Sequence, residues 1–91
     1  MDLKNIEIKE LLEVIVKFIV QTEDDVHITE SHGEVLHGKE SVHYKIKCNS
    51  QEFSLLIGRD GSTIKSLRML FSKIGGKRRQ SIYIDTDEEK K

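Results

Sequence analysis

Two glycines three residues apart, Gly58 and Gly61, stand in the run Leu56-Ile57-Gly58-Arg59-Asp60-Gly61-Ser62-Thr63-Ile64, between apolar residues that belong to two different helical patterns. Glycine has no Cβ and reaches positive φ without steric cost, so a loop bracketed by two of them turns tightly and lets another backbone come close. The chemistry on offer is that of amide N–H groups. A second helix opens where the loop ends, so its unpaired first-turn donors and the positive end of its dipole face the same space, which favours an anion. Helix starts usually carry Asp or Glu in the first turn, yet here Lys65 stands there and no acid follows Asp60. Over residues 57–79 there are seven basic residues, Arg59, Lys65, Arg68, Lys73, Lys77, Arg78 and Arg79, against the one acid Asp60, in a chain of net charge −1.

Other groups capable of chemistry cluster in the middle of the chain. His27, His32, His37, His43 and Cys48 share one segment, but their spacings of five or six residues differ from those of structural zinc sites, where paired ligands stand about two to five apart. His27 and His43 fall on one side of an alternating strand pattern and Cys48 shares the other side with Ile46. The simpler reading is surface histidines and a core thiol, with no metal site. No phosphate-binding G-x-x-x-x-G-K-S/T loop, nucleophile elbow or acid pair is present and nothing points to an activated thiolate, so neither enzymatic activity nor a cofactor is expected.

The elements that must position the glycine loop follow from periodicity. Ile8, Leu11, Leu12, Ile15, Phe18 and Ile19 fall on one face of an α-helix, predicting a first helix over 5–20. Asn5 is placed to cap it, Glu7 and Glu10 lie near its positive end, and Glu13 with Lys17 makes a favourable i,i+4 pair. Its polar face is mainly acidic, which anionic lipid would repel, so its apolar face is expected in a core and not on a membrane. The polar stretch 21–25 ends it. Val26 and Ile28 then alternate with His27 and Thr29, and Val42, Tyr44, Ile46 and Cys48 with His43, Lys45 and Lys47, predicting two strands with one buried and one open face. Between them, 31–41 holds Gly33 and Gly38 and is expected to be a turn or longer loop, with Val35 and Leu36 able to prolong a strand.

A short helix over 50–57 enters the glycine loop, with Asn49 and Glu52 spaced as a capping box and Ser50 as an alternative cap. The longer helix, over 62–74, places Ile64, Leu67, Leu70, Phe71 and Ile74 on one side, Lys65, Arg68 and Ser72 in a strip beside them, and Met69 in solvent. Gly75-Gly76 is expected to stop it. Lys77, Arg78 and Arg79 follow near the helix's negative end, as helix-end electrostatics or as a binding patch. Ile82 and Ile84 alternate with Ser81, Tyr83 and Asp85 in a last strand, and 86–91 form a charged tail.

Composition bounds what these elements can build. Ninety-one residues, 36% hydrophobic and 34% charged, suit one domain over 1–91 with an ordered core of about 5–85 and a heavily charged surface. No apolar run approaches the ~20 residues that span a bilayer. Met1-Asp2-Leu3-Lys4-Asn5 does not read as a secretory signal, and the single cysteine excludes an intrachain disulfide; both favour a cytoplasmic location.

The pattern I-G-x-x-G-x-x-I over 57–64, set between a short helix and a longer basic one, resembles the signature loop of the KH family. The element order resembles the type II arrangement, and the length resembles the small stand-alone bacterial KH proteins of the KhpA type, over nearly the whole chain. The resemblance implies an α+β fold, α-β-β-α-α-β, with a three-stranded sheet and three helices on one face. It also implies binding of single-stranded RNA, the loop clamping the backbone of about four nucleotides beside an apolar groove, and a role as a post-transcriptional regulator or RNA chaperone. On that reading Gly58, Arg59, Asp60, Gly61 and Ser62 meet the backbone, Arg59, Lys65 and Arg68 supply charge, and Leu56, Ile57 and Ile64 shape the apolar floor. The rival reading is a protein-interaction module that homodimerises or pairs with a larger KH-containing partner.

Overall fold

In the computed structural model, which describes residues 7–21 and 23–86, the first helix, α1, spans Ile8–Ile19. Asn5 lies outside the described residues; Glu7 occupies the N-cap position without a side-chain cap bond. Glu13 and Lys17 pair at 3.0 Å on the surface. Ile8, Leu12, Val16 and, just beyond the helix, Val20 are buried, with Leu11, Ile15 and Ile19 packed at the flank. Phe18, expected in that stripe, is instead 87% exposed. It projects about 120° from Leu12 on an α-helical wheel, and the sheet meets the other flank of a broad apolar arc. The chain leaves α1 through a turn at Glu23–Asp25. The buried Glu52 carboxylate accepts the Gln21 amide N–H at 2.8 Å, tying the end of α1 to the start of the second helix.

Strand β1, His27–Leu36, pairs antiparallel with β2, Lys39–Lys47. The turn or longer loop expected over 31–41 is mostly strand. The register shifts once, between His32 and Val35, and the hairpin closes on His37 and Gly38 with φ of 53° and 75°. Two central residues at positive φ are what a tight hairpin needs to match strand twist. Alternation vanishes in this stretch because both faces of the hairpin tip meet solvent, residues 31–39 all being exposed. On its helix side the His32 ring bridges Glu40 and Glu30, and these two carboxylates hold the imidazole above its usual range. Glu30 also pairs across the strands with Tyr44 and is held low by hydrogen bonding to that phenol.

After β2 the Asn49 side chain accepts the Gln51 N–H at 2.9 Å. Half of the expected capping box thus forms, while Glu52 turns to Gln21 instead. Helix α2, Phe53–Ile57, the glycine loop and helix α3, Ser62–Lys77, lead into β3, Gln80–Thr86. Thr86, expected in the charged tail, ends this strand, and 87–91 lie outside the described residues. β3 runs parallel to β2, giving the order β1-β2-β3 in one mixed sheet. Val42, Tyr44, Ile46 and Ile84 point into a core with Leu12, Val16, Leu56, Leu67 and Phe71, whereas His43, Lys45 and Tyr83 stand on the open face. This is the α-β-β-α-α-β, α+β fold of a type II KH domain.

Helix α3 departs from expectation twice. Leu70 is 46% exposed, about 100° round the helix from fully buried Phe71. Gly75-Gly76 does not stop the helix, which continues to Lys77. A Cβ at Gly75 would lie 2.5 Å from the Gln80 carbonyl oxygen and 2.9 Å from Ile82 Cγ1. That glycine therefore permits close approach of α3 to β3, and the left-handed residue that turns the chain is Arg79, at φ 56°.

Candidate nucleic-acid interface

The loop between α2 and α3 is built from three unusual backbone conformations, at Gly58, Asp60 and Gly61, and one close packing. Gly58 ends α2 at φ 79°, ψ 172°, donating its N–H to the Ser54 carbonyl at 2.9 Å. That region of backbone space is essentially closed to residues with a Cβ. Space is closed as well: a Cβ there would sit 2.3 Å from Thr63 Oγ1 and 2.7 Å from the Thr63 nitrogen. Asp60 (φ 55°, ψ 26°) and Gly61 (φ 76°, ψ 15°) are both left-handed, and the Gly61 N–H returns to the Gly58 carbonyl at 3.1 Å. An acid in this basic segment has a conformational reason, since Asp tolerates left-handed geometry better than most residues.

The 16-residue α3 begins at Ser62 with Gly61 as N-cap, no side-chain cap bond and no acid in its first turn. The Ser62 N–H returns to the Arg59 carbonyl, and no side chain caps the rest of the first turn, so the positive end of the dipole acts at the loop. Arg59, Asp60 and Ser62 are exposed, and Lys65 reaches back so that Nζ lies 3.5 Å from the Asp60 carbonyl oxygen. Loop amides, helix end and Lys65 converge on one small surface suited to a phosphate group.

The other expected contacts are distributed differently. Leu56, fully buried, and Ile64, 5% exposed, belong to the core, leaving Ile57 half-buried as the member of the expected floor that reaches the surface. Leu55, 43% exposed on the same short helix, reaches the surface although it lies outside the expected floor. The available signal was that four apolar residues in a five-residue helix cannot all face inward. Arg68 is turned to β3: its Nε donates to the Ile84 carbonyl at 2.9 Å and its guanidinium lies 3.7 Å from Asp85 Oδ1. Lys77, Arg78 and Arg79 sit at the far end of a helix about 24 Å long, away from the loop.

Cys48 is buried, and burial pushes its thiol up, helped by the Glu52 and Asp25 carboxylates. That is opposite to the shift an activated thiolate needs. Among the described residues no group of three His, Cys, Asp or Glu side chains could hold a metal ion, and no helix is long and apolar enough to cross a membrane.

Sheet order, helix order and the glycine loop together define a KH domain of type II. Residues 9–86 match the family model described as KhpA/KhpB, KH domain. The chain is 41% identical over 68 residues to the RNA-binding protein KhpA of Thermotoga maritima, covering 75% of this chain and 84% of that one. It is 29% identical over 77 residues to the RNA-binding protein KhpA of Clostridium perfringens, covering 85% and 96% of the two chains. It is also 26% identical over 82 residues to the protein of the same name in Chlamydia caviae, covering 90% and 99%. The chain belongs to the KhpA/KhpB KH-domain family, which is not a family of enzymes.

Proposed function

We propose that this protein binds single-stranded RNA, the loop from Gly58 to Gly61 clamping the phosphate backbone. The observation that carries the reading is the uncapped start of α3 behind two glycines, with Lys65 reaching back beside it. Arg59 and Lys65 supply mobile charge; Arg68, already engaged by β3, acts along the path of the strand and not in the clamp itself. Bases lie beside Ile57 and Leu55, while Leu56 and Ile64 support that surface from the core. The names of the similar proteins support RNA as the ligand. Four bases against so shallow a surface carry little sequence information, which suits a chaperone or general post-transcriptional role, and the single thiol suits the reducing cytoplasm.

Titration of short labelled single-stranded RNA with wild type and Gly61→Asp, at two salt concentrations, tests the clamp. The substitution is chosen from the structure: Gly61 has open space, with Lys65 Cε 3.6 Å from a built Cβ, and its left-handed geometry accepts Asp. The variant folds and loses binding, and each phosphate neutralised in wild type contributes about −0.7 to the log–log salt slope. A slope near zero, or undiminished binding by folded Gly61→Asp, overturns the clamp.

A second reading, pairing with another copy or with a larger KH-containing protein, is favoured by Met69 and Leu70, 66% and 46% exposed on adjacent positions of α3. Met69→Glu should then reduce assembly in sedimentation or light scattering while leaving the isolated domain folded.

A further inference from the structure

We propose that the open face of the sheet is a second contact surface for the same single strand, with Tyr83 and His43 as its stacking platform. The two residues are cross-strand partners on β3 and β2, their rings 4.7 Å apart and inclined by only 16°. Tyr83 is 50% exposed. The pair lies outside the apolar core, on a face shared with Lys45, Ser31, Ser41 and Ser81, and at the hairpin tip with Leu36 beside Lys39.

Charge is sorted across the two faces of the hairpin. Strand alternation puts Glu30 and Glu40 on the helix side and Lys39 and Lys45 on the open side. The acid contributed by β3 to the open face, Asp85, already faces the Arg68 guanidinium. A polyanion therefore meets lysines and two stacked rings on this side. Bases stack on such rings whatever their sequence, because every base has a π-face.

The surface is also continuous with the glycine loop. Arg68, Met69 and Ser72 of α3 join His43, Tyr83 and Asp85 around a depression of about 450 Å³ at the β3 edge. Arg68 and Ser72 belong to the same helix strip as Lys65, which touches the loop. A strand leaving the loop along Lys65 and Arg68 thus arrives at Tyr83. The inference rests on the RNA reading of the loop and extends a clamp of about four nucleotides to a longer footprint, within the range of about 4–16 known for single-strand grooves.

The test compares labelled RNA of about four and about twelve nucleotides on wild type, Gly61→Asp, Tyr83→Leu and Lys45→Glu. Tyrosine fluorescence gives a second readout. The chain has two tyrosines and no tryptophan, and Tyr44 is only 3% exposed, so quenching by RNA reports Tyr83. Tyr83→Leu keeps apolar bulk on the strand while removing the ring. The longer RNA binds wild type more tightly and quenches its fluorescence; Tyr83→Leu and Lys45→Glu lose that advantage, Tyr83→Leu by about tenfold, while tetranucleotide binding is unchanged. Equal affinity of wild type and folded Tyr83→Leu for the longer RNA, without quenching, overturns the sheet surface and leaves the clamp standing if Gly61→Asp still abolishes binding. Conversely, if Gly61→Asp leaves tetranucleotide binding intact while Tyr83→Leu weakens the longer RNA, the clamp fails and the sheet surface stands. A change in self-association of Tyr83→Leu with RNA affinity untouched makes this face a protein interface and overturns the proposal.

Discussion

At the scale of single residues, the two loop glycines are there for different reasons, and this separates folding from binding. Gly58 combines a glycine-only backbone region with a Cβ position already occupied by Thr63. Gly61 combines a left-handed φ with open space. Gly58→Ala should therefore lower unfolding free energy by about 2 kcal/mol or more, the size of backbone strain alone before the clash is added. Urea denaturation checks this, and a loss below about half of that would show that the loop relaxes around the methyl group. Gly61→Asp carries the left-handed strain, about 1 kcal/mol, without the clash, so it should cost less than Gly58→Ala and stay folded, which the same urea denaturation checks. The same scale explains which apolar neighbours of the loop reach the surface. Leu56 and Ile64 are core, whereas Leu55 and Ile57 reach the surface.

At the scale of elements, the position of α3 is set by how closely it lies on β3. Gly75 lets the helix approach the strand until a Cβ would touch the Gln80 carbonyl, whereas Gly76, one residue on, meets nothing within 4 Å. Adjacent identical substitutions should thus act in opposite directions. Gly75→Ala destabilises by about 1–3 kcal/mol through overpacking, and Gly76→Ala stabilises by about 0.5–1 kcal/mol by removing glycine's backbone entropy from an exposed helical position. Thermal unfolding of the two variants decides this, and equal shifts would sink the packing account. Arg68 belongs to this scale too. By donating to the Ile84 carbonyl it covers part of the outer edge of β3, the kind of open edge that otherwise invites pairing with another chain.

At the scale of the whole molecule, charge is distributed by segment and by face. Net charge is −1, yet residues 57–79 are strongly basic, so RNA affinity should fall with salt although the protein as a whole is weakly acidic. Protonation also acts globally, through Tyr44 and Cys48. Burial raises the Tyr44 phenol, with Glu30 hydrogen bonding and charge adding to it, and burial raises the Cys48 thiol. A folded-state value above the unfolded one means that the folded protein holds its proton longer, so this stability is present below the unfolded values and is lost as pH rises through the folded ones. Urea midpoints should hold up to about pH 8 and then decline through the thiol and phenol ranges, near about 8.5 and 10 in unfolded chains. Tyr44→Phe flattens the upper part of that decline if it retains the fold, and an unchanged profile in the folded variant would remove Tyr44 as its cause.

Much of this architecture was legible because it is written in local periodicity. The α-β-β-α-α-β order, the buried sides of β2 and β3, the glycine loop and its basic surroundings all follow from residues within a few positions of one another. What the tertiary structure alone decided are choices between surfaces that local pattern leaves equivalent. The apolar arc of α1 is broader than its contact, so only packing against the sheet exposes Phe18 and buries Val16. The Gly75-Gly76 pair reads as a helix stop until β3 is seen to occupy the space a Cβ would need. Arg68 lies in register with the basic strip, but the unpaired carbonyl of an edge strand nearby captures it. His43 and Tyr83, 40 positions apart, become stacked neighbours only because β2 and β3 pair in parallel. Sequence spacing determines which way a side chain leaves its own element; which other element is waiting there is set by the sum of many distant contacts.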